Sequence, residues 1–282
     1  MIASLAAQTV PGIVWAVTEP TRNSAPDSSV MQIDEPRFLG NRLKGETWLT
    51  DADGKDFRVA ELMGKPLILL LSYYGCDGSC PTMNAELAKV LANVTRFQLG
   101  RDYRVLTVSF DKRDTSGTAK QFVAKSAGMA GVAGVAGAAQ DGWRHAVLKA
   151  GGAPGGVESF AGEVGFRYFW SDAAAAFLHP NVLVFLTPEG RVARYIYGAR
   201  MDAKTIELAI TDADWERIAN STAVFDMVSG ACFSYNYAEG RYQLNYSLLA
   251  GVGSLLLGLS LMGLGAWAYR KKMKKGMEER HA

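Results

Sequence analysis

The chain has 282 residues, 49% of them hydrophobic and 10% aromatic, which is ample for a buried core and excludes an intrinsically disordered chain. Its net charge of +2 conceals a strongly basic C-terminal tail, so the main body is slightly acidic and poorly suited to gripping nucleic-acid phosphates. Three cysteines and three histidines are too few for a disulfide scaffold or a His-rich metal store, and any chemistry they do must come from a small, specific cluster.

Residues 1–17, MIASLAAQTVPGIVWAV, are apolar but carry no Lys or Arg before Arg22. The basic start of a signal peptide is missing, so the segment reads as a degenerate signal or as a start codon set too far downstream. Residues 18–45 are rich in Pro, Ser, Asn and Asp and complete an N-terminal arm, 1–45, read as extended surface chain. A domain over 46–230 follows. Thr47–Thr50 reads as a short strand, and Asp51–Lys55 as a turn reversed at Gly54. The run PLILLLS, Pro66–Ser72, is apolar throughout, as expected of a strand buried on both faces of a parallel sheet.

Helical spacing of Met83, Leu87, Val90, Leu91 and Val94 predicts a helix from Cys80 to Phe97. YRVLTVSF, 103–110, is the next strand, and Thr115–Ala127 the next helix, with Asp114 and Thr115 as capping candidates. Residues 127–156 are Ala/Gly-rich and read as a low-complexity loop around a short element near Trp143–Leu148, with a short helix over Val157–Val164. Asn181–Leu186 and Val192–Tyr197, joined by Thr187-Pro-Glu-Gly190, read as a β-hairpin, and Asp202–Ala219 as a closing helix. This order implies an α/β three-layer domain with a mixed β-sheet.

After a juxtamembrane segment, 231–247, comes an uncharged run of 21 residues, Leu248–Ala268. About 20 helical residues cross a hydrocarbon core about 30 Å thick. Tyr242 and Tyr246 precede the run, and Trp267 and Tyr269 close it. The expectation is one C-terminal transmembrane helix, 248–269, in contact with membrane lipid. The tail, 270–282, opens with RKKMKK and stays cytoplasmic by the positive-inside bias, which leaves residues 1–243 on the opposite side. Ala250, Ser254 and Gly258 form a small-residue stripe suited to helix packing.

Cys76 and Cys80 bracket the loop between the apolar strand and the helix led by Pro81. A helix N-terminus favours thiolate over thiol, and three intervening residues let both sulfurs reach one point. That geometry serves reversible disulfide formation or a two-thiolate grip on a metal. His179, 99 residues beyond Cys80, lies just before the hairpin strand. Two soft thiolates and one imidazole suit Cu(I), and Cu(II) with an added ligand. Structural zinc would want a fourth protein ligand.

YYGCDGSCPTM, VSFDKRDT, VGFRYFW and HPNVLVFLTPEGRVARYIYG resemble the Sco/SenC family of membrane-tethered, thioredoxin-like proteins. ACFSYNYAEGRY followed by an apolar helix resembles its bacterial subgroup anchored at the C-terminus. The resemblance implies a thioredoxin-like domain, copper as cargo, and Cys76, Cys80 and His179 as its ligands. It also implies a bacterial inner-membrane, single-pass protein whose periplasmic body works with the copper-bearing subunit of a cytochrome oxidase or a respiratory complex. The expected function is delivery of copper to, or maintenance of, the dinuclear centre of that oxidase. A thiol–disulfide reductase acting through the redox-active pair Cys76 and Cys80, and an accessory subunit of a respiratory complex, are the alternatives. The loop carries Asp77-Gly78-Ser79 where the family usually has Pro after the first cysteine.

Among the remaining candidates, Cys232 reads as a packing residue and His145 as a solvated surface residue. Asp111 reads as a turn cap that could instead orient His179 or supply a weak Cu(II) ligand. Lys112, Arg113 and Arg167 could border a docking face.

Overall fold

The computed structural model describes residues 31–130, 142–172, 174–198, 201–219, 233–236, 241–244 and 246–278. The reading of residues 1–17, Cys232 and most of the Ala/Gly-rich stretch lie outside the described residues.

Continuous apolar runs are stable only where both faces of a sheet are covered, and they form its centre here. β3 (Leu67–Ser72) is buried at every position and pairs in parallel with β4 (Arg104–Ser109) and antiparallel with β8 (Val182–Leu186). The outer strands are β1 (Trp48–Asp51), β2 (Asp56–Arg58), β5 (Trp143–Leu148) and β9 (Val192–Tyr197), giving the order β2-β1-β5-β4-β3-β8-β9. The sheet is mixed, as the element order implied.

One face is covered by Val157, Phe160 and Ala161 of α4 (Gly156–Glu163). Helix α2 (Ser79–Ala92) and α5 (Ala203–Asp214) cover the other, with Leu87, Leu91, Ile206 and Ile210 on Ile68, Leu70 and Phe185. α3 (Ser116–Ala130) packs beside α2 and sets Ala119 and Phe122 against Tyr74. Helix α2 stops at Ala92, short of the expected Phe97, where Asn93 caps it and its side chain returns to the Lys89 carbonyl. Asp202 caps α5 by accepting the Thr205 N–H. At the β8–β9 turn Gly190 has φ +79°, a left-handed backbone conformation that favours glycine.

Three parts depart from expectation. Residues 31–45 are no loose surface arm: they contain the short helix α1 (Glu35–Phe38), Ile33 and Leu43 join the core, and residues 40–43 bond to the edge of β9. Trp143–Leu148 is an interior strand between β1 and β4, so His145 is buried, stacked on Trp143 at 5.2 Å and near the Phe122 ring at 6.2 Å. A second hairpin, β6 (Phe169–Ser171) with β7 (Ala176–Leu178), forms a separate two-stranded ribbon just before His179.

Beyond the domain, β10 (Phe233–Asn236) pairs with β11 (Arg241–Leu244), and α6 spans Tyr246–Glu278. Within α6, Ala250–Trp267 has mean hydropathy 1.6 and no buried share, which makes it long and apolar enough to cross a membrane.

Two buried groups give opposite pH dependences. Burial holds the His145 ring neutral down to about 3, against an ordinary value of 6.5. Burial likewise pushes Glu35 up to about 7 from 4.5, opposed by a bond to Tyr197 and by Arg194. Below pH 6.5 an unfolded His145 takes a proton that the folded one refuses, so stability falls as pH drops from 6.5 towards 3. Unfolded Glu35 loses its proton first, so its contribution falls as pH rises from 4.5 towards 7. Each slope approaches about 1.4 kcal/mol per pH unit at most. In a pH series of urea melts, His145→Phe should gain on wild type with acidification below 6.5, and Glu35→Gln should gain on wild type between 4.5 and 7. Variant curves parallel to wild type would remove this account.

Candidate metal centre

The backbone brings three donors to one end of the sheet. The Cys76–Cys80 loop leaves the C-terminal end of β3 and runs into α2. Because β8 is antiparallel to β3, with Leu70 opposite Leu183, the residues that lead into β8 arrive at that same end. His179 therefore meets Cys80, Nε2 to Sγ at 3.4 Å. Exposures are 6% for Cys76, 1% for Cys80 and 5% for His179. The two cysteines are not joined in a disulfide.

The histidine's tautomer follows from its partners. A carbonyl oxygen only accepts, so Nδ1, 3.0 Å from the Pro180 oxygen, carries the hydrogen and leaves the Nε2 lone pair facing the sulfur. The ring is walled by Phe110, Phe166 and Tyr73 at 5.0, 5.9 and 6.2 Å. Burial in this wall lowers the His179 pKa, which keeps Nε2 available as a donor to a soft ion.

The thiols divide in character. A hydrogen bond from Cys80 holds Cys76 as thiolate, its pKa down to about 4, helped by the Gly78 N–H at 3.3 Å. Cys80 keeps its proton, because that bond to Cys76 and its own burial both raise its pKa. The helix N-terminus expected to favour both thiolates thus serves one. Among the described residues, no three His, Cys, Asp or Glu side chains already stand in a geometry that would hold a metal ion. The three donors are neighbours, and closing them on an ion requires loss of the Cys80 proton and adjustment of the loop.

That loop is braced without the usual proline. Lys125 of α3 pairs with Asp77 at 2.8 Å, and Thr82 Oγ1 donates to the Gly78 carbonyl. Asp77 is 98% exposed, so the pair itself adds little energy. Behind the loop lies a buried polar network. The Asn84 amide donates to the Cys80 carbonyl (2.9 Å) and to Ser72 Oγ (3.2 Å), and accepts from Thr107 Oγ1, which accepts from Trp143 Nε1. The Tyr74 hydroxyl donates towards the Thr107 and Ala146 carbonyls, and its N–H donates to Asp114. Asn84 escaped the sequence reading because it sits on the buried helical face among apolar residues. A polar residue one turn after the second cysteine is the signal that could have found it.

Asp111 is not brought to His179. Both its carboxylate oxygens are held by Arg113, and it caps the turn after β4. His145 lies on β5, packed against Phe122 and Trp143 and apart from the donor group.

A family model for SCO1/SenC matches residues 39–212. A protein of Aquifex aeolicus VF5 shares 29% identity at TM-score 0.54, over 63% of this chain and 95% of that one. A SCO1/SenC family lipoprotein of Bacillus anthracis is 18% identical at TM-score 0.50, over 63% and 98% of the two chains. Arabidopsis thaliana ScoI, solved with copper bound, is 21% identical at TM-score 0.46, over 60% and 97%. No curated protein sequence matches. The sheet topology, the cysteine loop between β3 and α2 and the matched span agree: with its thioredoxin-like fold, the chain belongs to the SCO1/SenC family.

Proposed function

We propose that this protein is anchored in the bacterial inner membrane by α6, holds one copper ion through Cys76, Cys80 and His179, and delivers it to, or maintains, the dinuclear copper centre of a cytochrome oxidase. The observation that carries the reading is the 3.4 Å approach of Cys80 Sγ to an Nε2 whose lone pair is aimed by the Pro180 bond. Two sulfurs and one imidazole form a soft, low-coordinate donor set that suits Cu(I). Uptake replaces the Cys80 proton, so each ion bound at neutral pH releases a proton. The aromatic wall excludes water from the donors, and an acceptor protein takes the ion by exchanging them in turn.

Copper titration of the reduced, intact protein should give one Cu(I) per chain. Cys76→Ser or Cys80→Ser should abolish tight binding, and His179→Ala should weaken it at least about tenfold, the smallest loss expected when a metal's surroundings are disturbed. The Cys76–Cys80 disulfide has no thiolate to offer and should bind none. Unchanged stoichiometry in either cysteine variant, or equal loading with and without reductant, would overturn the assignment.

The split between an acidic Cys76 and a protonated Cys80 also supports a second reading, thiol–disulfide reduction of oxidase cysteines with Cys76 as the attacking thiolate. His179→Ala separates the two, since a reductase keeps its exchange rate without the imidazole and a copper carrier loses its cargo.

Topology gives a further test. The basic tail resists translocation, so the proposed site faces the periplasm. A membrane-impermeant thiol reagent should label reduced Cys76 in intact spheroplasts. Labelling only after the membrane is broken would reverse the orientation and remove delivery to an exported copper centre.

A further inference from the structure

The three donors are almost wholly covered, so a protein that takes the ion from them must seat itself on what surrounds them. One surrounding element is built unlike the rest. The β6–β7 ribbon pairs Phe169 with Leu178 and Trp170 with Phe177, and leads directly into His179. A two-stranded hairpin is marginal by itself and needs a surface to pack on. Its inner attachment is Phe177, edge-on to Tyr73 at 5.2 Å and to Phe110 at 5.7 Å, the rings that wall the histidine. Its outer side is left open: Phe169 is 40% exposed, and Trp170, edge-on to Phe177 at 5.2 Å, is 47% exposed. Cations border it. The Arg113 guanidinium lies over Phe177 at 5.9 Å while paired with Asp111, Asp172 accepts the Trp170 indole N–H, and exposed Lys112 and Arg167, the latter two residues before β6, add further positive charge.

Large exposed aromatics beside arginine are the residue types that carry most binding energy at protein interfaces. Resting on the function proposed above, we propose that the β6–β7 ribbon, through Phe169 and Trp170 with Lys112, Arg113 and Arg167 at its rim, is the docking surface for the copper-accepting protein. The complementary patch on that partner is apolar at its centre and acidic around it. Since Phe177 joins the exposed ring of Trp170 to the wall of the site two residues from His179, a partner seated here is placed at the donor it must displace.

The test uses the full chain in detergent, loaded with one Cu(I), and as probe the reduced, metal-free copper domain of an oxidase subunit, with transfer followed by rapid mixing. The Phe169→Ser, Trp170→Ser double variant should retain one copper per chain, which also reports that it has folded. Its transfer rate should fall at least about tenfold, the loss of one strong interface anchor. Trp48→Ser, an exposed tryptophan on β1, should transfer at the wild-type rate. The wild-type rate should fall as salt rises, because the rim attracts an acidic partner. Transfer by the double variant at the wild-type rate, or an equal loss in Trp48→Ser, would overturn the docking surface while leaving the copper function intact. A wild-type rate indifferent to salt would overturn the acidic rim. Wild-type protein that binds copper and passes none to the probe would overturn the delivery reading and this surface with it.

Discussion

Everything proposed for this protein depends on a contact between residues 99 positions apart, Cys80 and His179. Neither side chain is placed by local sequence alone. Cys80 is fixed by the β3–α2 junction, and His179 by the antiparallel seating of β8 on β3. A slip of one residue in that register would turn every side chain of β8 to the opposite face and carry the histidine away from the sulfur. Both faces of β3 and β8 are buried, so such a slip would misfit close-packed side chains on the two faces at once, and that mismatch holds the register. Hydrophobic packing of the sheet therefore acts as the positioning device for a polar site.

Burying that site sets a second constraint, since polar groups taken from water must find partners. Asn84, Thr107, Ser72, Tyr74 and Trp143 answer it behind the loop by satisfying one another and the Cys80 carbonyl. In front of it the rings of Phe110, Phe166 and Phe177 supply an apolar wall that makes no polar demand, and Tyr73 adds a hydroxyl that hydrogen-bonds to Cys76. On the proposed function, a polar backing and an aromatic front hold the loop between them while it trades a proton for an ion. The buried His145 Nε2 and Glu35 Oε2, which have no hydrogen-bond partner, mark where the same interior is less completely satisfied.

The central strands, the hairpin of β8 and β9 and the cysteine pair were legible because each carries a local signal: continuous apolar residues, a Pro-Glu-Gly turn, two thiols at a helix start. Trp143–Leu148 was not legible as an interior strand because Ala and Gly on both sides carry no periodicity, and that misplaced His145 at the surface. Phe169 and Trp170 were hidden because the ribbon has only three residues per strand, too few for an alternation to register. The chain before β1 looked like a surface arm by composition, yet Ile33 and Leu43 pack into the core, a tertiary contact that composition does not encode. Asp111 shows the reverse: its position near the site suggested a role towards His179, and a close arginine took the carboxylate instead.

The measurement that bears most directly on the central claim is X-ray absorption at the copper edge, on the intact protein loaded with Cu(I) and on its His179→Ala variant. The account predicts a first shell of two sulfurs and one imidazole nitrogen in the wild type, with the imidazole scattering lost in the variant. A wild-type shell without imidazole, or one that the variant leaves unchanged, would contradict it.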